Sequence, residues 1–191
     1  MSEMIHGSDR IKTVQPIRSA KTINEFKKLL RDKDYKYYIM FLIGINTGLR
    51  ISDIIKLKVR DIRDKTHVAI KEQKTGKPKR FFVNEQLRVE LNEYMSTLQD
   101  DDYIIPSKKG NRGYVGRIQA YRVLNEMAKQ LGLSEIGTHT MRKTFGYWHY
   151  KQNKDVAILQ DIFNHSSPSI TMRYIGINDD VKDESLKKFY L

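Results

Sequence analysis

The chain has 191 residues, 39% of them hydrophobic and 30% charged, which predicts a globular domain with one sizeable core and excludes a disordered chain. It has no cysteine, which excludes disulfides and thiolate metal sites, and neither a signal peptide nor a membrane-spanning run is expected. The formal net charge of +12 predicts attraction to a polyanion, usually nucleic acid, although a basic protein kept soluble by its lysines has the same excess.

The N-terminal part predicts a lead-in followed by two helices. Residues 1–21 are polar and basic without hydrophobic periodicity, so we expect a flexible, linker-like segment. Thr22 and Glu25 form a capping box at the start of a first helix, and the apolar residues between 35 and 45 predict a second. Gly48 suits the end of the second helix, where a positive φ is often needed.

Two charged residues follow this helix end. Arg50 lies in the next turn, and in isolation it would be interpreted as a surface arginine. Ser52 is a candidate N-cap of the following helix, and Asp53 lies at the start of that helix, where a carboxylate stabilises the helix dipole.

The next stretch predicts a small β-region. Residues 67–70 and 80–83 predict two strands, and the connection between them contains turn-forming residues together with Lys74, Lys77 and Lys79. A lysine on such a hairpin tip can swing into a groove. For Lys77 and Lys79 we expect a solvated loop that makes phosphate contacts at most.

The middle of the chain predicts a helix capped by Asn84, an acidic turn that we expect to be solvated rather than metal-binding, and a short buried strand at 103–105. A loop over 106–116 follows. Its basic residues are candidate contacts to a phosphate backbone. They are Lys108, Lys109 and Arg112.

The last third brings together residue types that carry chemistry. His139 and Arg142 are three positions apart, so they share one face of a helix that Thr138 can cap. Apolar residues at 141, 145 and 148 occupy a different face, which suits a core. The pattern therefore predicts an imidazole and a guanidinium held side by side on a buried helix.

A second helix is predicted at the end of this region. Ser167 followed by Pro168 is a typical helix start, the helix would carry Tyr174, and His165 lies just before it. Each of these residues alone would more often be structural. As a set they are expected to face one another.

These motifs together resemble the tyrosine recombinases, also called phage integrases, over roughly residues 20–178. The H-x-x-R of 139–142, followed by His165 and Tyr174, resembles the end of these proteins. N-T-G-L-R-I-S-D at 46–53 resembles their T-G-x-R-x-x-[DE] box, and Q-K-T-G-K at 73–77 resembles their β-hairpin lysine. Any one motif occurs by chance, but all of them in one order make a specific signal.

The resemblance implies an α+β fold that is mainly α-helical with a small antiparallel β-sheet, the DNA breaking-rejoining fold. The catalytic domain would span residues 22–178 and a tail residues 179–191. Where the family commonly has Gly before its histidine, this chain has Asn164, which also tolerates a left-handed backbone. The family's N-terminal helical domain has no counterpart here, so the chain is either a fragment or a short member.

The resemblance also implies an enzyme: a site-specific DNA recombinase, with an integrase as the first choice, that uses no metal and no cofactor. Tyr174 would attack a DNA phosphodiester and form a covalent 3′-phosphotyrosine. His139 would take the proton of the phenol, because a phenol has a pKa of about 10. Lys74 would protonate the leaving 5′-oxygen.

The remaining site residues would bind the phosphate. Arg50 and Arg142 would clamp its non-bridging oxygens, and His165 would donate a further hydrogen bond. Asp53 would orient the active-site cations.

The implied partner is double-stranded DNA, with Arg122 as a further contact on the helix predicted after residue 116. Self-association as a tetramer on paired sites would use the tail, which either packs on a neighbouring subunit or folds back on its own chain. The expected setting is the cytoplasm, for a bacterial or phage-encoded protein.

Two alternatives remain open from the sequence. A non-catalytic DNA-binding protein that retains the fold would bind DNA in a salt-sensitive way and form no covalent adduct. A type IB topoisomerase-like nicking-closing enzyme would relax supercoils without a partner site.

Overall fold

The computed structural model describes residues 14–107, 113–134, 136–187 and 189–190. Within these ranges helices predominate, and two strands pair as an antiparallel hairpin, which confirms the predicted fold class. The helices are α1 Ala20–Lys33, α2 Tyr35–Thr47, α3 Ile51–Ile54, α4 Val59–Ile62, α5 Glu85–Met95, α6 Arg117–Gln130, α7 Thr140–Asn153, α8 Val156–Phe163, α9 Pro168–Tyr174 and α10 Ile177–Leu186. The strands are β1 His67–Lys71 and β2 Pro78–Phe82.

Several predicted helix ends are confirmed. Gly48 ends α2 with φ +65°, Asn84 caps α5 through a hydrogen bond from the Leu87 amide, and Asn164 ends α8 in the left-handed region. Ser167 caps α9, whose first residue is Pro168. These positions were predictable because each depends on local backbone chemistry alone.

Other boundaries differ from the prediction. Ser19 rather than Thr22 caps α1, and α7 begins at Thr140 with His139, not Thr138, at its N-cap position. Ser52 lies inside α3, so its prediction as an N-cap is wrong. In each case a neighbouring residue occupies the extended or bridging backbone position that precedes the helix.

The predicted buried strand at 103–105 is also wrong. Ile104 and Ile105 are fully buried, but Tyr103 forms only an isolated bridge to Lys58, and Pro106 another to Tyr114. An apolar run this short indicates burial without specifying an extended ladder.

Helix α2 forms the centre of the core. It is apolar on all sides, with residues 37–44 buried, and it packs between α1, α5 and α7. Gly44 lets α7 approach closely, because a Cβ there would lie 2.7 Å from the Cβ of Met141. None of the helices in the described ranges has the length and apolar character needed to cross a membrane.

A second apolar cluster holds the C-terminal helices against α7. It contains Tyr147, Leu159, Phe163, Ile175 and Ile177. At Gly146 a Cβ would lie 2.6 Å from Ile175 Cγ2, so the absence of a side chain there is what allows this approach. The cluster therefore fixes the end of α9 next to the start of α7.

Residues 14–19, which we name the N-terminal strap, differ from the flexible lead-in that the sequence predicted. The backbone amide of Ile17 donates to Thr144 Oγ1 at 2.9 Å, and Trp148 Nε1 donates to the Ile17 carbonyl at 2.9 Å. The Ile17 side chain is buried. The strap is thus bound along α7 by contacts more than 120 residues apart in sequence, which no local pattern indicates.

Candidate active site

The site forms around the hydroxyl of Tyr174, at the last residue of α9. The Oη atom lies 3.2 Å from Nδ1 of His139, and the phenol is close enough to the guanidinium of Arg142 to be influenced by its charge. The ring of His165 packs against the Tyr174 ring, with centroids 5.1 Å apart. The structure therefore brings together the tyrosine, both histidines and the arginine that the sequence of the last third predicted to face one another.

The electrostatics of Tyr174 keep its phenol protonated. Burial raises the pKa of the hydroxyl above its ordinary value, and the positive charges of Arg142 and Arg50 offset only part of this increase. An attack by this oxygen therefore requires a nearby base.

His139 is suited to act as that base. Partial desolvation of its ring, followed by the charges of Arg142 and Lys143, lowers the pKa of the imidazole below its ordinary value. A neutral imidazole whose Nδ1 is unprotonated accepts a hydrogen bond from the tyrosine hydroxyl. The residue itself remains exposed at the mouth of the site.

Arg142 is one of the buried charges of the molecule, and its orientation is fixed by contacts to two other helices, α2 and α8. Its guanidinium donates to the carbonyls of Gly48 at the end of α2 and of Phe163 at the end of α8, the latter at 3.2 Å. It also stacks over the Phe163 ring at 4.4 Å. A planar guanidinium held this way presents its remaining donors in a fixed direction.

Arg50, in the turn after α2, pairs with a carboxylate that the sequence analysis missed. Nη1 of Arg50 lies 2.6 Å from Oε1 of Glu72, an ion pair that lacks the alignment of a hydrogen bond. Glu72 is buried, and Thr75 Oγ1 donates to its Oε2 at 2.7 Å. Burial opposes ionisation, but the Thr75 hydrogen bond and the Arg50 charge lower the pKa of Glu72.

One signal in the sequence indicated the direction of the Glu72 side chain. Alternation along β1 directs Val68 and Ile70 inward, and position 72 continues the same face just beyond the strand. A carboxylate on that buried face is unfavourable unless cationic side chains lie close enough to pair with it. The partners themselves come from other elements, so the sequence could not name them.

Lys79 is drawn into the protein, so the solvated position predicted for it is wrong. It lies in β2, its side chain is 12% exposed, and its Nζ donates to the carbonyl of Ile162 at 2.7 Å and lies 3.8 Å from Glu72. Desolvation and the charge of Arg142 lower the pKa of Lys79 to about 8. Lys79 therefore ties the hairpin to the end of α8 just before His165.

Asp53 holds the start of the turn that carries Lys74. Its Oδ1 accepts a hydrogen bond from the Gln73 amide at 2.9 Å, and its Oδ2 is buried with no hydrogen-bond partner among the described residues. Burial, joined by the charge of Glu72, raises the pKa of Asp53 despite the bond from Gln73. Lys74 itself is exposed, and its charge contributes to the lowered pKa of His139.

His165 is oriented by the turn between α8 and α9. Its backbone amide donates to the Gln160 carbonyl at 3.0 Å, and its Nδ1 lies 3.0 Å from Thr171 Oγ1. Desolvation and the charges of Arg142 and Arg50 lower the pKa of its imidazole. The left-handed backbone of Asn164 makes this turn possible.

Apart from Lys79, which is drawn into the protein, the predicted DNA contacts divide into two groups. Lys77 and Arg122 are exposed on the hairpin connection and on α6, where they are free to meet a polyanion. Lys108, Lys109 and Arg112 lie outside the described residues.

The groups around the Tyr174 phenol suit one kind of chemistry. The neutral imidazole of His139 and the guanidiniums of Arg50 and Arg142 together provide what an attack on an anionic phosphorus centre needs.

Comparison with known sequences gives a consistent result. Residues 18–180 match the Phage integrase family. The chain is 49% identical over 176 residues to the probable integrase/recombinase YoeC of Bacillus subtilis (strain 168), which covers 92% of this chain and 97% of that one. It is 26% identical to the tyrosine recombinase XerA of Pyrococcus furiosus, over 87% of this chain and 60% of that one.

Several solved structures of other proteins have a fold similar to that of this chain. The crystal structure of XerA recombinase superposes with a TM-score of 0.72 at 20% identity, over 93% of this chain and 68% of that one. The Tn1549 transposon integrase in complex with circular intermediate DNA gives 0.67 at 17% identity, over 89% and 62%. A lambda integrase dimer bound to a COC′ core site gives 0.68 at 18% identity, over 87% and 49%. The chain thus spans nearly all of YoeC and about half to two thirds of these other proteins.

Proposed function

Because the chain belongs to the phage integrase family, we propose that it is a site-specific DNA recombinase that cuts and rejoins duplex DNA through Tyr174. The observation that carries this proposal is the Tyr174 hydroxyl, which lies 3.2 Å from Nδ1 of His139 and beside the charge of Arg142. The names of the relatives, which are recombinases and integrases, favour this function over the two alternatives.

The proposed reaction conserves a phosphodiester bond. Oη of Tyr174 attacks the phosphorus, an O–P bond forms, and the bond from phosphorus to the 5′-oxygen breaks. The phenol proton passes to His139, and Lys74 gives a proton to the leaving 5′-oxygen. The reverse reaction with a 5′-hydroxyl from another strand rejoins the DNA, so no nucleotide cofactor is consumed.

Arg50, Arg142 and His165 would stabilise the negative charge of the pentacoordinate state. Removing one such donor typically costs about 3–4 kcal/mol of transition-state stabilisation. Because these side chains and Lys74 supply several positive charges or donors, we propose that the reaction uses no metal ion. Cleavage that proceeds unchanged in EDTA is the expected result, and cleavage that requires added Mg²⁺ would contradict this part.

The partner in this proposal is double-stranded DNA. The formal net charge of +12 and the exposed Lys77 and Arg122 support a phosphate-binding surface, and several structural neighbours are DNA complexes by title. We further propose a tetramer on paired sites that uses the C-terminal tail, where Leu186 and Phe189 expose most of their side chains. The setting would be the bacterial cytoplasm, and the limits 22–178 of the catalytic domain stay a prediction.

The test uses a pool of nicked duplexes with a randomised core. The protein is incubated with the pool, protein–DNA adducts that survive SDS are isolated, and their DNA is sequenced to define a cleavable duplex. We expect an adduct with the wild-type chain and none with Tyr174→Phe. The absence of any adduct, with DNA binding intact, would favour the non-catalytic alternative.

A further inference from the structure

Arg18, in the N-terminal strap, contacts the chain directly after the proposed nucleophile. Its Nε donates to Asp180 Oδ1 at 2.7 Å, and its Nη2 donates to the carbonyl of Gly176 at 3.2 Å. Gln15 Oε1 accepts from the same guanidinium. Arg18 therefore binds Gly176 in the turn between α9 and α10 and Asp180 in the first turn of α10, and Gly176 is only two residues from Tyr174.

Gly176 is shaped to receive this arginine. Its backbone has φ +79°, and a Cβ at this position would lie 2.6 Å from Arg18 Nη2. A larger residue would therefore be strained and would also displace the guanidinium. The contact with Arg18 therefore needs both the positive φ of Gly176 and the absence of a side chain there.

Asp180 links the arginine to α7, which carries His139 and Arg142. Tyr147 of α7 is close enough to Asp180 to be influenced by its charge, and the Arg18 guanidinium lies 5.5 Å from the centre of the Tyr147 ring. The strap itself is bonded to α7 through Thr144 and Trp148. The arginine thus bridges the helix of the base and the segment of the nucleophile.

Helix α9 needs such a support. It has seven residues, which is too short for independent stability, and Tyr174 is its last residue. The position of the hydroxyl relative to His139 then depends on how the chain after residue 174 is held. Misplacing a reacting group by about 1 Å can reduce a rate by about 100-fold.

We propose that Arg18 is a positioning residue for strand cleavage, holding the turn after Tyr174 so that the hydroxyl stays within reach of His139 and Arg142. This inference rests on the proposed function of Tyr174. It adds to the site a residue from a segment that carries no catalytic motif.

The test compares the full chain with Arg18→Ala, Arg18→Lys and a matched control, Arg63→Ala. Arg63 has the same degree of side-chain exposure, 33% against 32%, and also binds a carboxylate and backbone carbonyls, but its partners, Met95, Leu98 and Asp100, all lie between residues 95 and 100. Single-turnover adduct formation and DNA affinity are measured on the duplex selected with the wild type. Hydrogen exchange is measured on peptides covering residues 168–180.

We expect Arg18→Ala to form the adduct about 10-fold more slowly or worse, with DNA affinity within about 2-fold of wild type, and to exchange faster in residues 168–180. Arg18→Lys keeps the charge but cannot contact Asp180 and Gly176 together, so it should also be slower than wild type. Arg63→Ala should keep the wild-type rate and the wild-type exchange in residues 168–180.

Three results would overturn the proposal. The first is a wild-type rate of adduct formation in Arg18→Ala or in Arg18→Lys, and the second is a weaker DNA affinity with no slower adduct formation. The third is unchanged hydrogen exchange in residues 168–180. A failure of the proposed function can be distinguished from a failure of the role proposed for Arg18, because in the first case the wild type itself would form no adduct. The exchange measurement would still decide whether Arg18 holds the turn.

Discussion

The hydroxyl of Tyr174 and the imidazole of His139 form the pair on which the chemistry depends. Sequence spacing alone predicted that these two residue types would meet, because His139 and Arg142 share a helix start and Tyr174 ends a short capped helix. What the spacing could not predict was their protonation. The structure shows how each is shifted, since partial burial and then the surrounding cations lower the pKa of His139, and burial raises the pKa of Tyr174.

This electrostatic arrangement predicts a pH dependence for cleavage. A general base works only when unprotonated, so the single-turnover rate should rise with pH through the pKa of His139, which lies below 6.5, and then stay level to about pH 8. Rates of adduct formation between pH 5 and 8 would measure this. In His139→Gln the rise should disappear along with most of the rate. A rise that persists unchanged in His139→Gln would show that His139 is not the base.

The buried Lys79 predicts a pH dependence of stability. Its pKa is about 8 in the folded protein against 10.5 for an unperturbed lysine, so between these pH values the unfolded chain binds more protons. The free energy of unfolding of the wild type should therefore rise by about 1–3 kcal/mol relative to Lys79→Met as the pH increases from 8 to 10.5. Urea unfolding at several pH values measures this difference.

The matched control for this prediction is Lys77→Met, because Lys77 lies two residues before Lys79, on the hairpin connection, and is exposed. The difference in the free energy of unfolding between Lys77→Met and wild type should not change with pH. If Lys79→Met behaved in the same way, the burial of the Lys79 ammonium would be refuted.

At the scale of elements, the fold depends on close approaches between helices. The sequence predicted α2, α5, α7 and α9 from periodicity and caps, and it predicted the hairpin from turn residues. It predicted a helix near Asp53 from a candidate cap, and the structure has the four-residue helix α3 there; it did not predict α4, whose four residues are too few for a periodic pattern. Glu72 and the N-terminal strap were missed because their partners lie on other elements, and pairing at long range leaves no mark on local sequence.

The approach of α7 to the C-terminal cluster predicts the effect of one methyl group. In Gly146→Ala the new Cβ would meet Ile175 Cγ2 at 2.6 Å and Phe163 Cε2 at 2.7 Å, both in the core. Such overpacking should destabilise the protein by about 1–3 kcal/mol and slow cleavage, because Ile175 follows Tyr174 directly. Denaturant unfolding and adduct rates are the measurements.

Gly116→Ala serves as the control, since a Cβ at Gly116 meets no atom within 4 Å and its φ of −70° suits any residue. It should stay close to wild type in both measurements. Equal stability of Gly146→Ala and wild type would mean that α7 and α9 are not in contact as described.

At the scale of the whole molecule, the net charge of +12 defines how the protein should meet DNA. Each phosphate contact adds about −0.9 to the slope of log K against log salt concentration. Lys77→Ala should therefore weaken binding to all duplex sequences and reduce the magnitude of the slope by about 1. Fluorescence anisotropy between low and moderate salt measures it, with Lys79→Met as a variant whose slope should not change.

In the proposed reaction Tyr174 becomes covalently joined to DNA in a pocket where side chains alone stabilise the charge of the phosphate. Mass spectrometry of the digested adduct, formed by the wild-type chain on its selected duplex, tests this step. We expect one modified peptide, containing Tyr174 and carrying a 3′-phosphorylated nucleotide. A modification mapped to any other residue, or an adduct that persists in Tyr174→Phe, would contradict it.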